Sequence, residues 1–340
     1  MWLPKPETYH GNKDILQCYE ALIGGYITAH GQPCHWLFAD SWGFYYTSMQ
    51  QYGAYEPACV YPMWHNLNRI YGIRQRLFHG ATLRMLADWL STNQSPVFLV
   101  ADQYELPWVT EYRMMHHDHY LAATAVSEDG TKLFIQDLWP NEMREWRDLA
   151  ELESAFHARG SRALQLTEPR LKIDADLIRR LLTDAIARMR GEEREDYCSG
   201  LAGLRQFRQD VVQTSADALL PMEQRFDMLR RVVDVRYLFL EFLCFVQQQP
   251  VWSSQLPSGI ISAVEKCIAA WQSLRNYMVL SSLKGNYRPA RCSALLDKIL
   301  ECEQACLHAT ETWLARYHPI IGNGRGGDEH YETAGSSDFT

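Results

Sequence analysis

At 340 residues, with 47% hydrophobic content and a net charge of −8, the chain is long enough for two globular domains and too acidic to advertise a nucleic-acid surface. No apolar run reaches the roughly eighteen residues that cross a membrane, and MWLPKPETYHGNKD lacks a signal-peptide core, which predicts a cytoplasmic protein. Nine cysteines, odd in number and without a CxxC pair, signal neither a zinc knuckle nor a disulfide framework.

Residues 1–13 read as irregular, with Pro4, Pro6, Gly11 and Asn12. Asp14 is the expected N-cap of a helix from Ile15 to about His30, which Gly31 and Pro33 terminate. Cys18 then falls in the first turn, where the helix dipole favours a thiolate and free backbone N–H groups can meet an oxyanion. Its alternative reading is a small buried hydrophobe, as for most of the other cysteines. HWLFADSWGFYYTS (35–48) is an aromatic packing segment. Residues 58–80 hold a Tyr-Gly turn and a strand, and Thr82–Leu90 is an amphipathic helix. Pro96–Ala101 is a short continuous apolar run, as a central strand requires.

Asp102 to Trp139 is the richest stretch. His119–Val126 and Lys132–Asp137 flank the loop Ser127–Gly130 (SEDG) and read as a β-hairpin. Antiparallel pairing brings the strand ends near His119 and Asp137 together. A carboxylate beside a histidine orients it and makes it more basic, as a general base requires. Cysteine followed much later by histidine and then aspartate is the chain order of papain-like cysteine enzymes. His116 or His117 is an alternative base, and a rival reading makes His116, His117 and His119, with Asp118, a metal cluster, but no further ligand spacing accompanies them. The strands, with Ala163–Leu166 as a further candidate, form the sheet against which the Cys18 helix packs.

Beyond the polar, proline-containing linker 167–174 the pattern is helical. Leu177, Leu181, Leu182, Ala185, Ile186 and Met189 form one stripe that Gly191 ends, and helices are expected over 195–213, 221–248, 258–282 and 289–317. Val232–Val246 is apolar nearly all round and is the expected central helix. Its Asp234, Arg236 and Glu241 suggest an internal salt bridge or a contribution to a cleft. The Gly-rich polar tail from Gly322 is expected to be disordered.

QCYE (17–20), FADSWGF (38–44), DQYELPW (102–108), HHDHYLAATAV (116–126) and FIQDLW (134–139) occur in this order. Together they resemble the butirosin-biosynthesis protein H N-terminal domain family over residues 10–167. The resemblance implies an α+β papain-like catalytic domain over 1–167, an N-terminal helix on an antiparallel sheet. An all-α helical domain over 168–321 and a disordered tail over 322–340 follow. It implies Cys18 as nucleophile, His119 as base and Asp137 as its orienter. Asn12, six residues before Cys18, takes the place of an amide-bearing oxyanion donor, and Gln17 and Asp102 are supporting candidates. The implied activity takes an acyl, aminoacyl or peptidyl group from the phosphopantetheine thioester of a carrier protein. An acyl-Cys18 intermediate then passes it to an amine, hydroxyl or water in secondary-metabolite biosynthesis, with no cofactor. Carrier proteins are acidic, so a basic patch is expected at Arg69, Arg74, Arg76 and Arg84 or at Arg225, Arg230 and Arg231. A cysteine peptidase or amidase with the same triad, a noncatalytic scaffold of the same fold and a metal-dependent hydrolase are the alternatives.

Overall fold

The computed structural model describes residues 1–8, 15–47, 56–58, 63–93, 95–174, 176–191, 198–213, 222–249 and 258–316. The first half runs α1 (Cys18–Ala29), a 3-10 segment Cys34–Asp40, β1 (Tyr45–Thr47), β2 (Glu56–Ala58), α2 (Met63–Tyr71) and β3 (Gln75–Phe78). It continues with α3 (Leu83–Asn93), β4 (Val97–Asp102), β5 (Asp118–Val126), β6 (Lys132–Asp137), β7 (Met143–Asp148), α4 (Leu149–His157) and β8 (Ala163–Leu166). The second half holds α5 (Leu177–Arg190), β9 (Cys198–Ser199), α6 (Gly200–Gln213), α7 (Met222–Gln248), α8 (Ser258–Leu283) and α9 (Pro289–Arg316).

The fold is mixed, with its site on one antiparallel sheet of order β3-β8-β4-β5-β6-β7. Strand β4 is buried at every position because helices cover both faces of the sheet. By the pleat, Phe98 and Ala122 face α1 and its Leu22, Ile23 and Tyr26. Leu99, Leu121 and Ile135 face the other way, onto Leu86 and Leu90 of α3 and Leu152 and Phe156 of α4. The hairpin β5–β6 keeps one register at Ala122↔Gln136 and Ala123↔Ile135, then shifts between Ala123 and Ala125. Its charged neighbour β7 is an edge strand, and the extra charge guards that edge.

A second sheet, β2-β1-β9, joins the two halves, with Tyr45 opposite Ser199. Gly200 closes this joint. Its φ is +57°, its N–H donates to the Phe44 carbonyl at 2.7 Å, and a Cβ would meet the Met189 carbonyl oxygen at 2.4 Å. Only glycine fits there. The boundary expected at 167/168 falls between β8 and α5, and one buried core runs across it. Ile23 and Tyr26 of α1 and Trp36 and Phe38 share that core with Leu181 of α5, Leu238, Phe239 and Phe242 of α7 and Trp271 of α8.

The buried Arg236 does not pair with Asp234 or Glu241, as its neighbours in sequence suggested. Its Nε donates to Glu303 at 3.0 Å and its Nη1 to the Gly43 carbonyl at 2.6 Å. Trp42 and Trp271 also donate to Glu303, both at 2.8 Å. A fully buried carboxylate requires several donors, and α9 supplies Glu303 where three of them converge.

Other expectations shift. Helix α1 begins at Cys18, with Gln17 as N-cap in extended conformation, rather than at Ile15. Ile15 and Leu16 instead bury their side chains in the core before the helix starts. Residues 58–80 hold helix α2 as well as strand β3. The helix expected over 195–213 starts at Gly200, after the short strand β9. Strand β7 and helix α4 are additions that the sequence pattern does not announce. Asp14, Asn12 and the tail 322–340 lie outside the described residues. Among the described residues no helix is long and apolar enough to cross a membrane.

Candidate active site

Cys18 is the first residue of α1 and is 7% exposed. The Glu20 carboxylate accepts from the Gln17 N–H at 2.8 Å, and the first intrahelical bond runs from the Ala21 N–H to the Gln17 carbonyl at 2.9 Å. The Gln17 side chain turns back to the Glu20 N–H in a capping box, so it is the Cys18 and Tyr19 N–H groups that have no acceptor within the helix, at the positive end of its dipole.

His119 is the second residue of β5 and Asp137 the last of β6. Extending the Ala122↔Gln136 register puts Asp137 opposite Leu121 and Trp139 opposite His119. The two side chains are thus diagonal neighbours on one face, within reach of an imidazole and a carboxylate. His119 Nε2 lies 2.7 Å from Asp137 Oδ2, and both side chains are 1% exposed. The same Oδ2 accepts from Trp108 Nε1 at 3.0 Å, and Oδ1 accepts from the Trp139 N–H at 3.1 Å. Three donors fix this carboxylate. With Nε2 engaged by Asp137, Nδ1 is the imidazole nitrogen left over, and Cys18 lies close enough to act on the charge of the ring.

Burial opposes a charge on His119, but the Asp137 carboxylate outweighs it by attraction and hydrogen bonding, and Cys18 adds to the effect. The imidazole pKa is pushed up to about 10. At neutral pH His119 is therefore a protonated donor held beside a sulfur.

Cys18 and His119 line a cavity of about 330 Å³ whose walls include Gln17, Tyr19, Tyr120, Trp139, Met115 and Arg230. A larger cleft of about 620 Å³, beside Arg74, Arg76 and Arg170, is lined by neither of them. Size does not select the site; chemistry does.

Of the remaining candidates, Gln17 is at the cavity and Asn12 lies outside the described residues. Asp102 makes its hydrogen bonds elsewhere. Its Oδ1 accepts from the N–H groups of Tyr104 and His117 and from Arg159, each at 3.2 Å, while Oδ2 meets His116 Nδ1 at 2.8 Å. It thereby ties down both ends of the 103–117 loop, which delivers Trp108 to Asp137. Trp108 belongs to the DQYELPW stretch, yet nothing local in the sequence marks it as a donor to a carboxylate 29 positions on.

The neighbouring histidines go to different partners, His116 to Asp102 and His119 to Asp137, while His117 lines the cavity. Among the described residues no group of three His, Cys, Asp or Glu is arranged to hold a metal ion. The eight described cysteines are all free.

Neither expected basic patch stays whole. Arg69 is turned inward onto Asp40 and Asp184, at 2.9 and 2.6 Å. Arg84 reaches Asp88 at 3.5 Å and the Gly130 carbonyl at 3.0 Å, and Arg76 lies 3.9 Å over the Trp89 ring. Arg231 is paired with buried Glu20, and the side chain of Arg225 lies outside the described residues.

No family model matches the chain, and no curated protein is similar to it. Among solved structures, a protein from Bacillus anthracis described as a C39-like peptidase is similar with a TM-score of 0.32 and 11% identity, over 46% of this chain and 90% of that one. A likeness that weak decides neither the family nor the activity of this chain.

Proposed function

We propose that this protein is a papain-like cysteine acyl-transfer enzyme, with Cys18 as nucleophile, His119 as the proton-transferring residue and Asp137 as its orienter. The observation that carries this reading is the buried His119–Asp137 pair, 2.7 Å apart, with Cys18 beside the imidazole in the wall of the same cavity. Buried Cys–His–carboxylate sequences of this kind serve nucleophilic acyl transfer.

In the first half-reaction Cys18 attacks the carbonyl carbon of an acyl thioester as the thiolate, its proton being the one already held on His119. A first-turn N–H meets the oxyanion, with Gln17 beside it at the cavity wall. The bond to the departing thiol breaks, and that thiol takes its proton from His119. One thioester replaces another, so the step is close to balanced in free energy. In the second half-reaction an amine, hydroxyl or water attacks the acyl-Cys18 carbonyl and gives its proton to His119, and Cys18 is released. The donor we propose is a phosphopantetheine thioester on a carrier protein, as the family resemblance implies.

The experiment is turnover of a small acyl thioester beside a peptide amide of the same acyl group. The reading expects the thioester to react and Cys18→Ala to abolish that reaction in a folded protein. Cys18→Ser loses most of it, because a hydroxyl is far less ionised than a thiol. Thioester turnover by Cys18→Ala at the wild-type rate overturns the nucleophile. Preferential cleavage of the amide turns the reading toward a peptidase.

A further inference from the structure

The first turn of α1 is gripped from behind. At roughly 100° per residue, Tyr19 and Glu20 leave the helix on sides away from Cys18. Glu20 is fully buried, and Arg231 of α7 closes on it with both terminal nitrogens, Nη2 to Oε1 at 2.5 Å and Nη1 to Oε2 at 3.3 Å. The same Nη2 donates to the Tyr19 hydroxyl at 3.1 Å. Glu20 Oε2 in turn accepts from the N–H of Gln17, the residue before the cysteine. Tyr19 sets its ring edge-on against Tyr120, at 5.8 Å between centroids, and Tyr120 follows His119 in β5. One guanidinium is thus tied to the residues on either side of Cys18 and, through an aromatic contact, to the strand that carries its partner. The helix that supplies it is itself pinned, since Arg236 is buried on Glu303 and the Gly43 carbonyl.

We infer that Arg231 is a positioning residue, which aims the Cys18 sulfur at His119 by clamping the first turn of α1. This gives α7, and with it the helical half, a part in the chemistry that its own side chains do not perform. The inference rests on Cys18 being the nucleophile. Geometry of this kind matters because a shift of about 1 Å between reacting groups can cost about 100-fold in rate. A lysine keeps the positive charge but cannot reach both carboxylate oxygens and the Tyr19 hydroxyl from one planar fork.

The test measures acyl-Cys18 formation from a small acyl thioester by the full-length protein and its variants Arg231→Lys and Arg231→Met. The clamp predicts that Arg231→Lys lowers kcat by about 10- to 100-fold, leaves KM within about twofold and keeps the melting temperature within about 4 °C of wild type. Arg231→Met, which also leaves Glu20 buried without its partner, loses more of both rate and stability. Wild-type kcat in Arg231→Lys overturns the inference. So does a loss in either variant that vanishes on cooling to where the protein is fully folded, since that is stability alone. Should wild type itself form no acyl-Cys18, the nucleophile falls and the clamp with it. An active wild type with unaffected Arg231 variants removes the clamp only.

Discussion

Two histidine–aspartate pairs stand at neighbouring strand ends of the same sheet, alike in distance and unlike in exposure to water and in what else the carboxylate holds. His119 and Asp137 are 2.7 Å apart with side chains 1% and 1% exposed; His116 and Asp102 are 2.8 Å apart at 65% and 3%. In the first pair the histidine as well as the carboxylate is cut off from solvent, and among the described residues an imidazolium is the one cation on that carboxylate, so the histidine is held charged up to about pH 10. In the second, burial pushes the Asp102 pKa up. His116, the Tyr104 N–H and Arg159 together outweigh it, and the carboxyl is held below the usual range. Asp102 is satisfied several times over, and its histidine lies in water, stacked 4.1 Å over Tyr104. A short His–Asp distance is therefore no mark of a reactive pair. Desolvation of the imidazole, and Cys18 beside it at the same cavity, distinguish the first.

The sharpest way to break this comparison is to remove each histidine. His119→Ala is expected to lower acyl transfer by about 10³-fold or more, the scale of a general acid–base residue. His116→Ala leaves it within about twofold, as an exposed side chain should. Equal losses would mean that burial does not separate the pairs. Removing the carboxylate charges comes next. Asp137→Asn costs about 10²-fold, less than loss of the histidine itself, because the imidazole remains but loses its orientation and charge. Asp102→Asn instead costs about 1–3 kcal/mol of stability in denaturant unfolding, from weakened acceptance by three N–H donors, with the rate little changed.

The pH dependence follows from the raised pKa. His119 titrates near 6.5 when unfolded and at about 10 when folded. The folded state therefore binds the extra proton between those values, and the stability this confers is complete below about pH 6.5 and lost as pH rises through 10. Thermal melts of wild type should decline between pH 7 and 10, and in Asp137→Asn this part of the decline should flatten. An identical slope in the two proteins would contradict the assignment. A smaller effect than loss of the Asp137 charge belongs to Trp108→Phe, which removes one of three donors to Asp137. About 1–2 kcal/mol of stability and at most about tenfold in rate should go with it.

Parts of this arrangement could be read before the structure, and the reasons are local. Strand β4 is a continuous apolar run, β5 and β6 flank a loop ending in Asp-Gly, and α5 to α9 carry long apolar stripes. Such signals depend on neighbours a few positions away. The edge strand β7, MREWRD, escaped because an edge with charged residues has no apolar alternation. The helix start at Cys18 escaped because Ile15 and Leu16 look helical but are drawn into the core. The contacts that finish the site are long-range: Trp108 on Asp137, and Arg231 on Glu20 across 211 positions. Arg236 illustrates the same limit. Its near neighbours in sequence offer Asp234 and Glu241, yet it meets Glu303, 67 positions away. No periodicity encodes which buried carboxylate an arginine will meet once helices pack.

The most direct test of the central claim is intact-mass analysis with peptide mapping of the protein after mixing with an acylated carrier protein. The account predicts a mass gain of one acyl group, located on Cys18, absent in Cys18→Ala and strongly slowed in His119→Ala but not in His116→Ala. An acyl group found on another residue, or a Cys18 that takes no acyl group from either the carrier or a small thioester, would contradict it.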